Sequence, residues 1–229
     1  LSGSSTSVEP TIAIFAGVQA LDVAGPVDVF SEANRFIAPD ARYEVTLLSA
    51  QQAPLRASNG MTLIADAVFA RARKPFDLAL VAGGPALPEG APPEASLLDW
   101  LTNIAPQCGR YGSICTGAFA LGHAGLLDAR NVTTHWQHAA QLAAQFPKAR
   151  VDYDRIYLRD GQLVTSAGVT AGIDLSLALV AEDHGAHIAL AVAKRLVVFA
   201  QRQGGQSQFS PYLTAPVDDR LSVGDERVV

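Results

Sequence analysis

Cys115 closes an apolar run and opens a small-residue one, in Arg110-Tyr-Gly-Ser-Ile-Cys115-Thr-Gly-Ala-Phe-Ala-Leu121. A cysteine on such a strand-to-helix turn is lifted above the C-terminal edge of a sheet, and Gly117 and Ala118 let the helix start tightly against it. The helix N-terminus brings partial positive charge and free N–H groups, which favour thiolate over thiol. The chemistry implied is nucleophilic addition. A buried core cysteine is the plain alternative, which the turn context outweighs. Gly83-Gly84-Pro85 ends another apolar run, so its N–H groups are expected to form half of an oxyanion pocket, with the N–H of Thr116 supplying the rest. Asp22, in Ala20-Leu-Asp-Val-Ala-Gly-Pro26, stands between a strand and a helix among apolar residues. It is either a desolvated, protonated carboxyl that donates to a thiolate or the N-cap of the helix. His135/His138 and His184/His187 are pairs at the i, i+3 spacing that can ligate metals. No carboxylate or thiol completes either set in sequence, so no metal is expected, and surface or capping roles are expected for most of them, His135 excepted.

These residues need a scaffold of alternating strands and helices. Strands are predicted over 11–16, 43–49, 77–82, 109–114 and 131–134, and a pair, 156–158 and 163–165, surrounds the Asp160-Gly161 turn. Pro26 suits the first turn of a helix running to about Asn34. Further helices are predicted over 94–105, 116–124, 135–145, 171–183 and 186–199, the last two separated by His184-Gly185. Between the second and third strands, Ser58-Asn59-Gly60 marks a small hairpin on the flank of the sheet. Strands such as Asp77-Leu-Ala-Leu-Val-Ala82 are apolar on both faces, the mark of a parallel sheet covered on both sides. The fold class expected is α/β, a doubly wound, mostly parallel sheet with helices on both faces. Ligands bind such sheets at their C-terminal edge, where Gly84 and Cys115 both fall.

The 229 residues carry 17 Lys plus Arg against 22 Asp plus Glu, a formal net charge of −5, and 49% are apolar. Disorder is excluded as the main state. A single domain of this length buries roughly 70 to 75% of its unfolded surface, so no disulfide, metal or second chain is needed to hold it. Cys108 and Cys115 form neither a disulfide framework nor a zinc ribbon, which makes a reducing, cytoplasmic setting the default. The richest apolar region, 173–200, is broken by Asp174, Glu182, Asp183, His184, Lys194 and Arg195, so no membrane span is expected. Basic residues fall into small groups (Arg71, Arg73, Lys74; Arg150, Arg155, Arg159; Lys194, Arg195, Arg202) with acidic residues interspersed. Duplex DNA is not an expected partner of such a surface.

Several motifs in order resemble the ThiJ/PfpI superfamily: Ala-Leu-Asp22-Val-Ala-Gly-Pro-Val-Asp-Val-Phe, Val-Ala-Gly-Gly84-Pro, Gly-Ser-Ile-Cys115-Thr-Gly-Ala-Phe, Ala-Gly-Leu-Leu-Asp, Thr-Thr-His135-Trp and Thr-Ser-Ala-Gly-Val-Thr170-Ala-Gly-Ile-Asp174. The match covers about Pro10 to Phe199. It implies a class I glutamine amidotransferase-like (flavodoxin-like) fold, an acidic residue at Asp22 that contacts Cys115, and His135 near that cysteine. The superfamily's proteases carry His directly after the cysteine. This chain has Thr116, which argues against proteolysis.

Two branches use Cys-Thr-Gly: isocyanide hydratases and the sensor domains of Glx-type AraC-family regulators. Val180-Ala-Glu-Asp-His-Gly185 and Arg195-Leu-Val-Val-Phe-Ala-Gln-Arg-Gln-Gly-Gly-Gln-Ser-Gln-Phe-Ser210 resemble the regulators. The resemblance therefore implies an effector-sensing, dimerising domain rather than an enzyme. Its pocket would be lined by Asp22, Gly84, Cys115, Thr116, His135 and Thr170, and would hold a small nitrogen-containing metabolite without a cofactor. The enzyme alternative is an isocyanide hydratase-like lyase using Cys115, Asp22 and His135. Residues 1–9 read as a flexible leader, 10–200 as the domain, and 201–229 as a tail or the start of a linker. The sixteen residues after Leu213 are too few for two helix-turn-helix units, so DNA contact is expected only through a module absent from this chain.

Overall fold

A computed structural model gives the fold of residues 7–198, 202–205 and 208. In chain order, strand β1 (Pro10–Ala13) leads to helix α1 (Ala20–Ala33) and β2 (Thr46–Ser49). The flank hairpin follows, β3 (Leu55–Arg56) and β4 (Thr62–Leu63), and then β5 (Ala67–Val68) and β6 (Leu78–Val81). Helix α2 (Ala95–Asn103), β7 (Arg110–Ile114) and α3 (Gly117–His123) come next. The last third holds β8 (Asn131–Val132), α4 (Ala139–Gln145), β9 (Arg150–Val151), β10 (Tyr157–Asp160), β11 (Leu163–Ser166), α5 (Thr170–His184) and α6 (Ala186–Arg195).

Seven strands form one sheet in the order β10-β11-β7-β6-β1-β2-β5. Every pairing is parallel except β10 with β11, the hairpin at Asp160-Gly161. The sheet is doubly wound because its central strands are apolar on both faces. Ile12 and Leu80 pack with Phe30 of α1, Leu175 of α5 and Val192 of α6. Ala13 and Val81 point the other way, to Leu101 of α2, Phe119 of α3 and Leu142 of α4. The sheet is doubly wound and mostly parallel, as the alternation of strands and helices predicts, and the fold is flavodoxin-like, as the resemblance implies.

Three local expectations are corrected. Helix α1 begins at Ala20, so Pro26 is inside it rather than in its first turn. The bond lost there is the one to the carbonyl of residue 22, and burial of Val23, Pro26 and Phe30 outweighs a proline cost of about 3 kcal/mol. The strand expected over 131–134 stops at Val132 and pairs with β9 in a separate two-stranded sheet. His135 does not open an α-helix, since a 3₁₀ turn over Trp136–His138 intervenes before α4. The segments expected as leader and tail fall largely outside the described residues. Within them, Val8 forms a parallel bridge with Tyr43.

Candidate functional site

The C-terminal ends of β1, β6, β7 and β11 converge on Cys115. Its backbone takes φ 57°, the left-handed region a non-glycine residue rarely adopts. Neighbours over-determine that strained turn. The Cys115 N–H donates to the Ser166 carbonyl at 3.0 Å, and its carbonyl accepts from Thr134 Oγ1 at 2.8 Å. A side chain at the adjacent Gly168 (φ +103°) would stand 2.6 Å from Cys115 Sγ, so only glycine closes this wall. Val169 follows at φ 52°, and strain on both sides of one cleft is characteristic of functional sites.

Asp22 lies in the first turn of α1, fully buried. Its Oδ2 accepts the Gly83 N–H at 3.0 Å and its Oδ1 the Val169 N–H at 2.7 Å. These long-range bonds replace the N-cap role: the cap position is Gln19, and its side chain makes no cap bond. Burial raises the Asp22 carboxyl to about 6, while both backbone N–H donors and the Cys115 thiol oppose the rise. Burial likewise pushes the Cys115 thiol up to about 12, and the Asp22 charge adds to it, against hydrogen bonds from Thr116. Burial thus opposes the thiolate that the α3 N-terminus is expected to favour. In a low-dielectric pocket the two groups share one negative charge, and the carboxyl ionises first.

The glycine turn after β6 is also built differently from the expectation. The Gly83 N–H is held by Asp22, and the Gly84 N–H by Thr116 Oγ1 at 2.8 Å. Thr116 Oγ1 also lies 2.8 Å from the Gly84 carbonyl. Neither glycine N–H is therefore left to receive an oxyanion. The turn works instead as a brace between β6 and the elbow.

Over this floor lies a pocket of about 170 Å³, lined by Gln19, Gly84, Pro85, Cys115, Thr116, His135, Gln137, His138 and Val169. Four residues singled out in the sequence, Gly84, Cys115, Thr116 and His135, are thus brought together. Asp22 sits beneath them, not in the lining. Thr170 is exposed and turned away, its Oγ1 accepting from Arg202 Nη2 at 2.9 Å. His138, expected as a surface or capping residue, faces the pocket, its ring 6.0 Å from that of His135. Burial first, and His138 second, hold His135 below the ordinary imidazole range. The i, i+3 spacing could have flagged His138, and the glycine before Val169 could have flagged that residue. Gln19 carried no sequence signal. Its place follows from its N–H bond to the Gly83 carbonyl at 2.7 Å. Among the described residues no cluster of three His, Cys, Asp or Glu side chains could hold a metal ion. No helix among them is long and apolar enough to cross a membrane.

A buried cysteine elbow, backed by a carboxyl from the first helix on a doubly wound sheet, defines a class of α/β domain. Comparison with known proteins gives that class its family. Residues 11–182 match the DJ-1/PfpI family, and the chain belongs to it. An uncharacterized protein in the cpoL 5′ region of Streptomyces lividans is 47% identical over 136 residues, 59% of this chain and 93% of that protein. The HTH-type transcriptional regulator CdhR of Pseudomonas aeruginosa is 35% identical over 185 residues, 81% of this chain and 53% of the regulator. The isonitrile hydratase of Pseudomonas putida is 34% identical over 189 residues, 80% of this chain and 75% of that enzyme. Among solved structures, an AraC family transcriptional regulator from Pseudomonas putida superposes with a TM-score of 0.72 at 25% identity, covering 82% of this chain and 99% of that one. The chain spans about half the length of the curated HTH-type regulators CdhR and GbdR.

Proposed function

We propose that this chain is the effector-sensing, dimerising domain of an AraC-type transcription regulator, and that a small nitrogen-containing metabolite occupies the pocket over Cys115. The observation that carries the reading is the alignment with CdhR, which takes up most of this chain and only 53% of the regulator. The site supports it. A thiol pushed up to about 12 is a poor nucleophile near neutrality, and the glycine N–H groups that would stabilise an oxyanion are already bonded. Among the described residues the lining has no Asp, Glu, Lys or Arg, which suits a ligand of zero net charge such as a zwitterionic amino acid or betaine. DNA contact is assigned to the part of such regulators that this chain does not align with. Each of its basic groups has a member paired with a carboxylate, Lys74 with Glu9, Arg159 with Glu182 and Arg195 with Glu32.

A second reading is favoured by the hydratase relative and by the Asp22–Cys115 contact. In it, Cys115 Sγ adds to the carbon of an isocyanide, and the thiol proton passes by way of Asp22 to that same carbon, giving a thioimidate. Water then adds, the carbon–sulfur bond breaks, and an N-substituted formamide leaves with the thiol restored. One experiment separates the readings. The chain is incubated with an alkyl isocyanide and, in parallel, titrated with amino acids and betaines in a thermal-shift assay. The sensor reading expects saturable stabilisation by a member of the second set and no formamide. Formamide production that disappears in Cys115→Ala overturns it in favour of the lyase.

A further inference from the structure

Beyond α6 the chain returns to the back of the pocket at two described residues. Arg202 donates from its backbone N–H to Asp174 Oδ1 at 2.8 Å and from Nε to Oδ2 at 2.9 Å. Its Nη2 reaches the same Oδ2 at 2.6 Å and Thr170 Oγ1 at 2.9 Å. Asp174 is 3% exposed, so this is a built contact and not a surface pairing. It ties Thr170 at the start of α5 to Asp174 one turn on, next to Val169, whose N–H holds Asp22 and whose side chain lines the pocket.

Gln208 does the corresponding thing to the opposite wall. Its Nε2 donates to the Thr134 carbonyl at 3.0 Å, and its Oε1 accepts the Trp136 N–H at 3.0 Å. One amide thus ties the residues on both sides of His135. Thr134 in turn donates to the Cys115 carbonyl, so the amide is one residue removed from the elbow itself. Gln208 is anchored from below, its N–H donating to the Asp154 carbonyl at 3.0 Å.

We propose that Arg202 and Gln208 are positioning residues of the Cys115 pocket, Gln208 fixing the His135 loop and Arg202 fixing the start of α5 where Val169 meets Asp22. A ligand that moves either wall must move this segment, and by thermodynamic reciprocity a pull on the segment alters the pocket. The positioning stands on its own. Only its use as a route from effector to the rest of a regulator rests on the sensor reading.

The test uses the whole 229-residue chain without ligand, so its outcome is independent of effector identity. Imidazole titration is followed by NMR, and iodoacetamide labelling of Cys115 by peptide mass spectrometry. Gln208→Ala is expected to move the His135 titration up toward the ordinary imidazole value while the signals of His184 and His187 stay in place. Gln208→Glu keeps the acceptor for Trp136 and adds a negative charge, and is expected to move His135 further in the same direction. Arg202→Ala would strand the buried Asp174 charge, so Thr170→Val tests that wall: it removes one clamp bond and leaves Asp174 paired. It is expected to change the Cys115 labelling rate by roughly fivefold, the rate equivalent of one net hydrogen bond. A merely structural role lowers the melting temperature and leaves both readouts of the folded protein unchanged. That result, in folded Gln208→Ala and Thr170→Val, overturns the proposal.

Discussion

Strand β7 has a buried cysteine near each end, and the two thiols occupy opposite kinds of ground. Cys108 precedes the strand in ordinary extended backbone (φ −69°), completely buried, its sulfur accepting from the Phe76 N–H at 3.2 Å. Cys115 follows the strand in strained backbone, beside a pocket and a carboxyl that is itself buried. Burial raises both thiols, and a carboxylate adds to the rise in each, Asp77 for Cys108 and Asp22 for Cys115. The sheet's two edges differ in the same way. At the N-terminal edge, Arg110 pairs with Asp183 at 2.9 Å and Arg159 with Glu182, so carboxylates there are balanced by cations. At the C-terminal edge, Asp22 has only N–H dipoles and a thiol. Burial with no cation beside it is what raises the Asp22 carboxyl, against the lowering effect of its two N–H donors.

The largest test of this contrast is labelling of the two thiols. Cys108 is exposed only when the protein opens. In the native state iodoacetamide at pH 8 is therefore expected to modify Cys115 faster by on the order of a thousandfold, and comparable rates would erase the distinction. The pH profile for Cys115 is expected to rise through pH 9 and above, and Asp22→Asn to shift it downward by removing the neighbouring charge. A wild-type midpoint near 7 would show that the α3 N-terminus outweighs burial.

Next in size is stability against pH. A carboxyl that titrates at about 6 in the folded state and at 3.8 in the unfolded chain favours folding most below pH 4. That contribution is lost as pH rises through 6. Urea melts are therefore expected to show wild type losing up to about 3 kcal/mol relative to Asp22→Asn between pH 4 and 7.5. A flat difference would mean Asp22 does not carry the buried charge.

Gly168→Ala is expected to destabilise by about 2 kcal/mol, since it adds a Cβ against Cys115 at a positive φ, and to change Cys115 labelling in the folded fraction. The smallest effect belongs to the other edge. Arg159→Gln breaks a pair whose side chains are 47% and 42% exposed, and is expected to change stability by less than about 1 kcal/mol.

Much of this molecule was legible in its residues, because the signals are local. Apolar strands alternating with amphipathic helices specify a doubly wound sheet, and Ile-Cys115-Thr-Gly specifies a tight elbow, whatever lies elsewhere in the chain. Asp160-Gly161 and Ser58-Asn59-Gly60 likewise marked their own turns. What escaped was long-range. A cap role for Asp22 stayed open beside that of a buried carboxyl because its partners, Gly83 and Val169, are 61 and 147 residues away. The glycine N–H groups looked free because nothing near them in sequence accepts from them. Thr170 looked like a pocket residue, but it is exposed outside the lining and bonded to Arg202, 32 residues away. The burial that opposes a thiolate at the elbow was also out of reach, because helix geometry can be read from sequence, whereas desolvation cannot. Types and spacing of residues determined which groups could do chemistry here. Only the tertiary structure decided which were already bonded and how much water each retained, since both depend on contacts between segments far apart in the chain.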